Sequence, residues 1–335
     1  MNSNSARRDA LQRFVVGELG GDASAPIAAS ADASFRSYWR VHAGERSLIV
    51  MDAPPGKENL APWLDVDARL RVAGLNAPQV VAVDHAQGFV LMSDLGVRTY
   101  LPELDAASAD PLYADAFAAL LRMQTAVDTQ NLPVYDRALL IAELERMPEW
   151  FLQRHLGFNP SCDEWDIIEA AFTRIVHSAL EQPQCFVHRD YHSRNMMIVP
   201  DNSPGIIDFQ DAVIGPVAYD LVSLLRDCYI EWPTVQVDAW VEHYRQRLVA
   251  AGVTQAGSVQ FRHWFDLIGL QRHLKVLGNF CRLWYRDGKA QYLADLPLTL
   301  RYVLTAADRH AEFAGLANLL RRAIGSRDIC APMPA

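Results

Sequence analysis

Three polar side chains in the middle of the chain, Asp190, Asn195 and Asp208, have the types and the spacing that phosphoryl transfer requires. Asp190 lies five positions before Asn195, and Asp208 directly follows two isoleucines. A carboxylate can accept the proton of an attacking hydroxyl, and carboxylate and carboxamide oxygens are the hard ligands that Mg²⁺ prefers. We therefore interpret Asp190 as a catalytic base and Asn195 and Asp208 as magnesium ligands. The competing interpretation is a polar hairpin whose three side chains are solvated.

Two short strands are predicted to position these residues. Apolar runs at 196–199 and 205–207 flank a turn at 200–204, and this pattern is typical of a β-hairpin. Asp190 and Asn195 then share the loop that precedes the first strand. Asp208 lies where the second strand ends.

The segment 186–211 resembles the aminoglycoside phosphotransferase and choline kinase family. The His-x-Asp-x-x-x-x-Asn spacing, followed by a strand-terminal aspartate, carries the resemblance. The segment departs from protein kinases in having Asp-Phe-Gln-Asp where they have Asp-Phe-Gly. Four segments resemble one branch of the family, the bacterial kinases of cell-wall amino sugars: 47–55, 188–191, 208–213 and 271–278.

The resemblance implies an α+β fold with two protein-kinase-like lobes. Residues 1–95 would form a small nucleotide-binding lobe around a five-stranded antiparallel sheet. Residues 96–325 would form a larger, mainly helical lobe for catalysis and substrate binding, and 326–335 a frayed tail. ATP and Mg²⁺ would be the cofactors. Periodicity adds helices to this outline, including single helices at 139–156 and 298–323.

The branch also implies the acceptor. The γ-phosphate would be transferred to the anomeric (C1) hydroxyl of N-acetylmuramate and N-acetylglucosamine, in cytoplasmic peptidoglycan recycling. Two alternatives stay open. One is another small hydroxyl acceptor, such as choline, homoserine, a ribose derivative or an aminoglycoside. The other is a nucleotide-binding pseudokinase that acts as a scaffold.

The sequence departs from the wider family where the ATP phosphates should bind. The strand that ends at Met51 lacks the expected lysine, and the helix predicted at 63–73 lacks its glutamate partner. Four cations are candidates to replace the lysine: Arg36, Arg40, Arg46 and Lys57. Arg36 is the first choice because it lies, with Ser34, in a small, hydroxyl-rich loop that could cradle phosphate. A plain surface loop is the alternative.

The remaining candidate residues have weaker signals. By resemblance, Met92 and Asp94 mark the interlobe hinge, whose backbone would bind adenine. His188 is expected to hold the catalytic loop, with a role in proton transfer as the alternative. By resemblance, Asp220 caps the same loop through its backbone amides, although an acid at position 220 would also suit a helix N-terminus. Asp211 could reach a sugar hydroxyl, a second metal or only solvent.

Polar residues interrupt a long helical pattern at 259–286. Arg272, His273 and Lys275 place three potential cations within four positions. Such a cluster would suit a carboxylate-bearing or hydroxyl-rich acceptor and would repel a polycation. These residues are therefore the candidate acceptor contacts, and a solvated helical face is the alternative.

Composition argues against several classes of function. The 335 residues include 31 basic and 40 acidic ones, and the net charge of −9 argues against binding of nucleic acid. No apolar run reaches the roughly 18 residues of a membrane span, and the polar N-terminus lacks a signal-peptide core. Five scattered cysteines favour reduced thiols in the cytoplasm. The substrates implied are an amino sugar and ATP, with no obligate protein partner.

Overall fold

The computed structural model of the chain describes residues 3–21, 23–31 and 35–332. These residues form two compact units that are interleaved in the sequence. The first unit takes in the described residues up to Ala119 together with 194–211. The second unit takes in 120–193 and the described residues from 212 onwards. The lobe boundary predicted near residue 95 stays a prediction, because neither unit is one continuous stretch of sequence.

A five-stranded antiparallel sheet forms the first unit's framework, which confirms the predicted sheet. Its strands are β1 (Ile27–Ala31), β2 (Ser37–Ala43), β3 (Arg46–Asp52), β4 (Val80–Asp84) and β5 (Phe89–Ser93), in the order β1-β2-β3-β5-β4. Apolar and aromatic runs at 31–41, 47–51, 78–83 and 89–92 predict four of these strands and leave β1 unassigned. The reason is composition: β1 reads Ile-Ala-Ala-Ser-Ala, which has neither alternation nor aromatic residues.

The first unit also contains two helices, α1 (Ser3–Leu19) and α2 (Leu60–Val72). Leu11 and Val15 of α1 pack into a buried cluster with strand residues such as Val50. Arg7 fixes the same helix to β3, because its Nη2 donates to the Asp52 carboxylate at 2.5 Å. Apolar burial and one ion pair thus hold α1 against the sheet.

The predicted β-hairpin is confirmed and belongs to the first unit. Strands β7 (Met196–Met197) and β8 (Gly205–Ile206) pair antiparallel. The Ile198 amide donates to the Arg98 carbonyl at 2.8 Å, and the Ile206 amide donates to the Asn76 carbonyl at 2.8 Å. These backbone bonds fix the position of Asp208, two residues beyond β8.

The second unit is mainly helical. Helix α3 (Ala109–Ala126) leads into it from the first unit. Its helices are α4 (Arg137–Leu144), a π-helix (Met147–His155), α5 (Cys162–Glu181), α6 (Tyr219–Leu225), α7 (Thr234–Ala250), α8 (Ser258–Asp287), α9 (Leu296–Arg309) and α10 (Ala314–Ile324). Strands β6 (Gln184–Val187) and β9 (Val213–Pro216) form an antiparallel pair. Short 3-10 helices occur at Leu101–Glu103, Ala290–Asp295 and Ala311–Phe313.

Two helix predictions are wrong in their continuity. The helix predicted at 139–156 divides into α4 and the π-helix, and Pro148 near the start of the π-helix has no N–H for the regular ladder. The helix predicted at 298–323 breaks at His310, whose backbone is extended. The His310 ring contacts Asp266 of α8 at 3.2 Å, a tertiary contact that periodicity cannot reveal.

Helix α8 is the centre of the second unit. Most of its residues from Phe261 to Cys281 are buried. At Gly278 the helix approaches another backbone so closely that a Cβ would lie 2.3 Å from the Arg146 carbonyl oxygen. In the predicted tail, Ile329 is buried and its carbonyl accepts a hydrogen bond from His155 at 2.8 Å, so the tail is anchored at that residue. Within the described part of the chain, no helix combines the length and the apolarity that a membrane span needs.

Candidate active site

The loop that carries Asp190 is held at its start by a buried carboxylate. Asp220 accepts the His188 amide at 2.6 Å and the Arg189 amide at 3.0 Å. Arg189 has φ 76°, a left-handed conformation that is costly for a residue other than glycine. These are the contacts by which Asp220 is predicted to support the loop. The His188 ring also takes part, since its Nδ1 accepts the Asp190 amide at 3.3 Å.

A second carboxylate, which the sequence analysis missed, holds the other end of the loop. Asp227 accepts the Ser193 amide at 2.9 Å and the Ser193 hydroxyl at 2.5 Å. The same carboxylate accepts the Tyr229 amide at 3.1 Å. The only sequence signal for this residue is an acid two positions after the apolar helix α6. Asp220 and Asp227 together fix the backbone on both sides of Asp190.

The surroundings of Asp190 keep its carboxylate ionised. Burial favours the neutral acid and by itself would raise the pKa of Asp190. Nearby cationic groups reverse that effect and lower the pKa below its ordinary value: Lys275, His192, Arg272 and Arg189. At neutral pH the group is therefore a carboxylate that can accept a proton from a hydroxyl.

A buried network around Glu143 positions two of these cations. The Glu143 carboxylate pairs with Arg189 and lies 3.2 Å from the Lys275 ammonium. Tyr135 donates its hydroxyl to the same carboxylate, and Gln271 donates to it at 3.2 Å. Burial opposes ionisation of Glu143, but the Lys275 and Arg189 charges outweigh it and lower the pKa of Glu143 from 4.5 to about 2. The network therefore stabilises the fold above pH 4.5, and this contribution is lost as the pH falls through about 2.

The candidate acceptor contacts on α8 lie inside the unit, so the alternative of a solvated face is wrong. Arg272 donates to the Ser223 hydroxyl at 2.6 Å, and Lys275 lies 3.2 Å from the Tyr219 hydroxyl. The His273 ring lies 2.9 Å from the Arg226 carbonyl. Burial, followed by the Arg272 charge, lowers the pKa of His273 to about 3. His273 is thus a neutral core residue at neutral pH, and a direct role in acceptor binding stays a prediction for all three.

The predicted magnesium ligands lie together in the first unit. The Asn195 side-chain nitrogen is 3.3 Å from the Asp208 carboxylate, and Gln210 donates to that carboxylate at 2.9 Å. Asp208 has φ 63°, the left-handed conformation again. Among the described residues, the side-chain oxygen Oε1 of Gln210 is buried without a hydrogen-bond partner. A carboxylate, a carboxamide and a nearby unsatisfied carbonyl oxygen form a donor set that suits Mg²⁺.

Arg36, the first candidate for the phosphate-binding cation, lies beside the predicted magnesium ligand Asp208, and its role at the phosphates stays a prediction. Its guanidinium lies 3.9 Å from the Asp208 carboxylate and 3.9 Å from the Glu58 carboxylate. Glu58 also accepts the Phe35 amide at 3.0 Å. Arg36 and Glu58 therefore form an ion pair like the lysine–glutamate pair of kinases. Glu58 could not be predicted as this partner, because it precedes α2 instead of lying within it.

The other candidate nucleotide contacts fall at several places in the first unit. Met92 is buried in β5. Asp94 accepts from Arg40 at 2.6 Å and from the Ser47 hydroxyl at 2.5 Å, so its carboxylate has a structural role. These positions leave the prediction of a backbone contact to adenine untested. Ser34 lies outside the described residues.

Asp211 lies at the surface beside the predicted magnesium ligands. Its side chain is exposed, and its carboxylate accepts from Gln210 at 3.3 Å. Gln210 thereby joins Asp211 to Asp208. Whether Asp211 reaches a sugar hydroxyl or a second metal stays a prediction.

Comparison with known proteins identifies the class of enzyme. Residues 27–254 match the phosphotransferase enzyme family, called APH. The chain belongs to this family. It is an ATP-dependent phosphotransferase that acts on a hydroxyl group.

Curated relatives match this phosphotransferase over nearly their whole length. The N-acetylmuramate/N-acetylglucosamine kinase of Pseudomonas aeruginosa is 45% identical, and the match covers 88% of this chain and 87% of the relative. The enzyme of the same name from Neisseria meningitidis is 39% identical, with 90% and 91% covered. Among solved structures, choline kinase LicA from Streptococcus pneumoniae is 13% identical and has a TM-score of 0.65, with 90% of this chain and 99% of LicA covered. The structural likeness confirms the protein-kinase-like fold.

Replacing Arg36 with methionine is expected to lower kcat/KM for ATP by about 10- to 100-fold, because the phosphates lose a buried cationic donor. Steady-state kinetics with varied ATP measures the effect. Arg98→Met is the matched control, since Arg98 is an exposed arginine paired with Glu103 at 2.8 Å in the same unit. Equal ATP kinetics in the two variants would rule out Arg36 as the substitute for the lysine.

Replacing Lys275 with methionine is expected to move the acidic limb of the pH–rate profile to higher pH. The substitution removes the cation that contributes most to lowering the pKa of Asp190, so the base takes up its proton at a higher pH. The remaining charges around Asp190 are those of His192, Arg272, Arg189 and Asp220. Kinetics between pH 4 and 8, with Lys289→Met as the control, tests this role. An unchanged acidic limb would show that Lys275 does not act on the base.

Proposed function

We propose that this phosphotransferase transfers the γ-phosphate of ATP to the anomeric (C1) hydroxyl of N-acetylmuramate and N-acetylglucosamine. The proposal rests mainly on relatives named N-acetylmuramate/N-acetylglucosamine kinase. These relatives are 39–45% identical to this chain over nearly its whole length. Their sugars are bacterial cell-wall components, so the enzyme would serve peptidoglycan recycling in the cytoplasm.

The residues of the candidate site supply the groups that the reaction needs. Asp190, ionised by its cationic neighbours, accepts the proton of the C1 hydroxyl while the hydroxyl oxygen attacks the γ-phosphorus. The bond between the γ-phosphorus and the β–γ bridging oxygen breaks at the same time, and ADP leaves. Asn195 and Asp208 would hold Mg²⁺, which neutralises charge on the β- and γ-phosphates. Arg36 adds a positive charge beside Asp208 for the same phosphates. The transfer is direct and in line, without a covalent enzyme intermediate.

An aromatic strip that begins beside the base supports a sugar acceptor. The His192 ring lies 5.4 Å from the Tyr229 ring, and Phe280 lies 6.5 Å from Tyr229 and 5.3 Å from Tyr292. Tyr229 and Tyr292 are half-buried. Aromatic faces pack well against the apolar face of a pyranose. The strip would hold the sugar ring on the same unit as Asp190.

Charge near the base disfavours the cationic alternatives. Choline and aminoglycosides carry positive charge, and Lys275 and Arg272 would repel it at Asp190. The anionic or neutral N-acetylated sugars meet no such repulsion. The same ionised base also weakens the scaffold alternative, since a scaffold needs no proton acceptor.

Coupled measurement of ADP release separates these candidates. The purified protein with ATP and Mg²⁺ would be tested against N-acetylmuramate, N-acetylglucosamine, choline, homoserine, ribose and an aminoglycoside. We expect release above the no-acceptor background with the two amino sugars alone. Faster release with another acceptor would replace the proposed substrate, and no release with any acceptor would favour the scaffold.

A further inference from the structure

Arg282 on α8 is a half-buried cation whose charge is poorly compensated. Among the described residues, its Nε atom is buried without a hydrogen-bond partner. Burial, and then the charges of Arg146 and Arg286, lower the pKa of Arg282 and outweigh the opposing charges of Asp287 and Glu149. The nearby carboxylate of Asp287 is already paired with Arg286 at 2.8 Å. An unmatched guanidinium of this kind has a strong tendency to bind an anion.

Arg146 adds a second guanidinium from a different element. It directly precedes the π-helix, and its Nη1 donates to the Asn279 side-chain oxygen on α8 at 3.1 Å. The close approach at Gly278 locks the Arg146 backbone against α8. Arg146 and Arg282 therefore lie on two elements whose relative position is fixed. One of these elements adjoins a π-helix, and π-helical turns often occur at functional sites.

Arg282 lies further along α8 than Lys275, the residue whose charge acts on Asp190. Arg146 follows Glu143 by three residues, and its charge contributes to the lowered pKa of Glu143. Glu143 lies 3.2 Å from Lys275, and Lys275 lowers the pKa of Asp190. From Lys275 to Arg282 the helix rises about 10 Å. That distance is comparable with the length of a substituted hexose.

We propose that Arg282 and Arg146 form a subsite for the carboxylate of the acceptor, which N-acetylmuramate carries on its lactyl ether and N-acetylglucosamine lacks. This inference rests on the proposed function and deepens it. The subsite adds a candidate carboxylate contact to Arg272, His273 and Lys275, whose side chains lie in the interior with protein partners. The pair sets the preference between the two sugars and takes no part in the transfer itself.

The ratio of kcat/KM for the two sugars tests the subsite. Arg282→Ala is expected to lower kcat/KM for N-acetylmuramate by at least about tenfold, because charge-assisted hydrogen bonds are lost. The value for N-acetylglucosamine should stay within about twofold, because that sugar makes no such bond. Arg282→Lys should restore part of the loss. Arg286→Ala is the matched control, since Arg286 lies one turn further along α8 and is exposed and paired with Asp287.

Turnover of N-acetylglucosamine by each variant also shows whether that variant is folded. Arg146→Gln provides a second test of the preference between the two sugars. Equal losses for both sugars, or no loss for either, in Arg282→Ala and Arg146→Gln would overturn the subsite while leaving the kinase function intact. A wild-type enzyme that phosphorylates neither sugar would overturn the proposed function, and the subsite with it.

Discussion

Replacing Asp190 with asparagine is expected to lower kcat by about 10²- to 10⁴-fold, the usual contribution of a general base. Asparagine keeps the size of the side chain and cannot accept the hydroxyl proton. The carboxylate is held ionised by Lys275 and its neighbours, so this proton-accepting capacity is what the substitution removes. ATP affinity should stay nearly unchanged, because Asp190 is not assigned a contact to the nucleotide.

Steady-state kinetics together with calorimetric titration of ATP measures both parts of this prediction. Asp201→Asn is the matched control, since Asp201 is an exposed acid in the loop between β7 and β8. Turnover of Asp190→Asn within about threefold of the wild type would be far less than a lost general base produces, and would remove Asp190 from that role.

The second large effect is expected at Asp208. Asp208→Asn should lower kcat by about 10²-fold or more, because phosphoryl transfer depends on the electrostatic stabilisation that a bound metal supplies. The Mg²⁺ concentration that gives half-maximal activity should rise at the same time. The substitution also weakens the contacts of Arg36 and Gln210, which both face this carboxylate.

A titration of activity against Mg²⁺ separates metal binding from other roles. Partial recovery of Asp208→Asn at high Mg²⁺ is the expected result, with Asp201→Asn again as the control. An unchanged Mg²⁺ requirement with lowered kcat would mean that Asp208 acts on the phosphates or on the loop instead of holding the ion.

The catalytic hairpin shows how much of this structure could be predicted from the sequence. Local patterns were sufficient there: apolar runs predicted the paired strands, and the positions of Asn195 and Asp208 at the strand ends predicted that these two side chains lie together. Four strands of the five-stranded sheet were predicted for the same reason. Strand β1 could not be predicted because its own residues have no strand pattern. It is extended because it pairs with β2.

The parts that escaped prediction depend on contacts between distant segments. Glu58 meets Arg36 across the start of α2, and Glu143 meets Lys275 of α8 from α4. Periodicity marks such residues as polar and therefore exposed. Only the folded chain shows that each charge is buried or partly buried beside a partner of opposite sign, which is the condition under which a buried charge is tolerated.

The buried network around Glu143 gives the second unit a function beyond stability. A buried ion pair adds little net stability compared with an apolar replacement, but loss of one partner leaves an uncompensated charge. Here the partners of Glu143 are Arg189, next to the base, and Lys275, whose charge reaches the base. The network therefore orients the loop and maintains the ionised state of Asp190 with the same few residues.

Phosphorus NMR of the reaction product tests the central claim most directly, that ATP phosphorylates the C1 hydroxyl of an amino sugar. The protein would be incubated with ATP, Mg²⁺ and N-acetylmuramate while the spectrum is followed. We expect a new phosphate resonance that grows as ADP forms and is coupled to the anomeric proton of the sugar. Formation of ADP with free phosphate alone, or a phosphate coupled to the C6 protons, would contradict it.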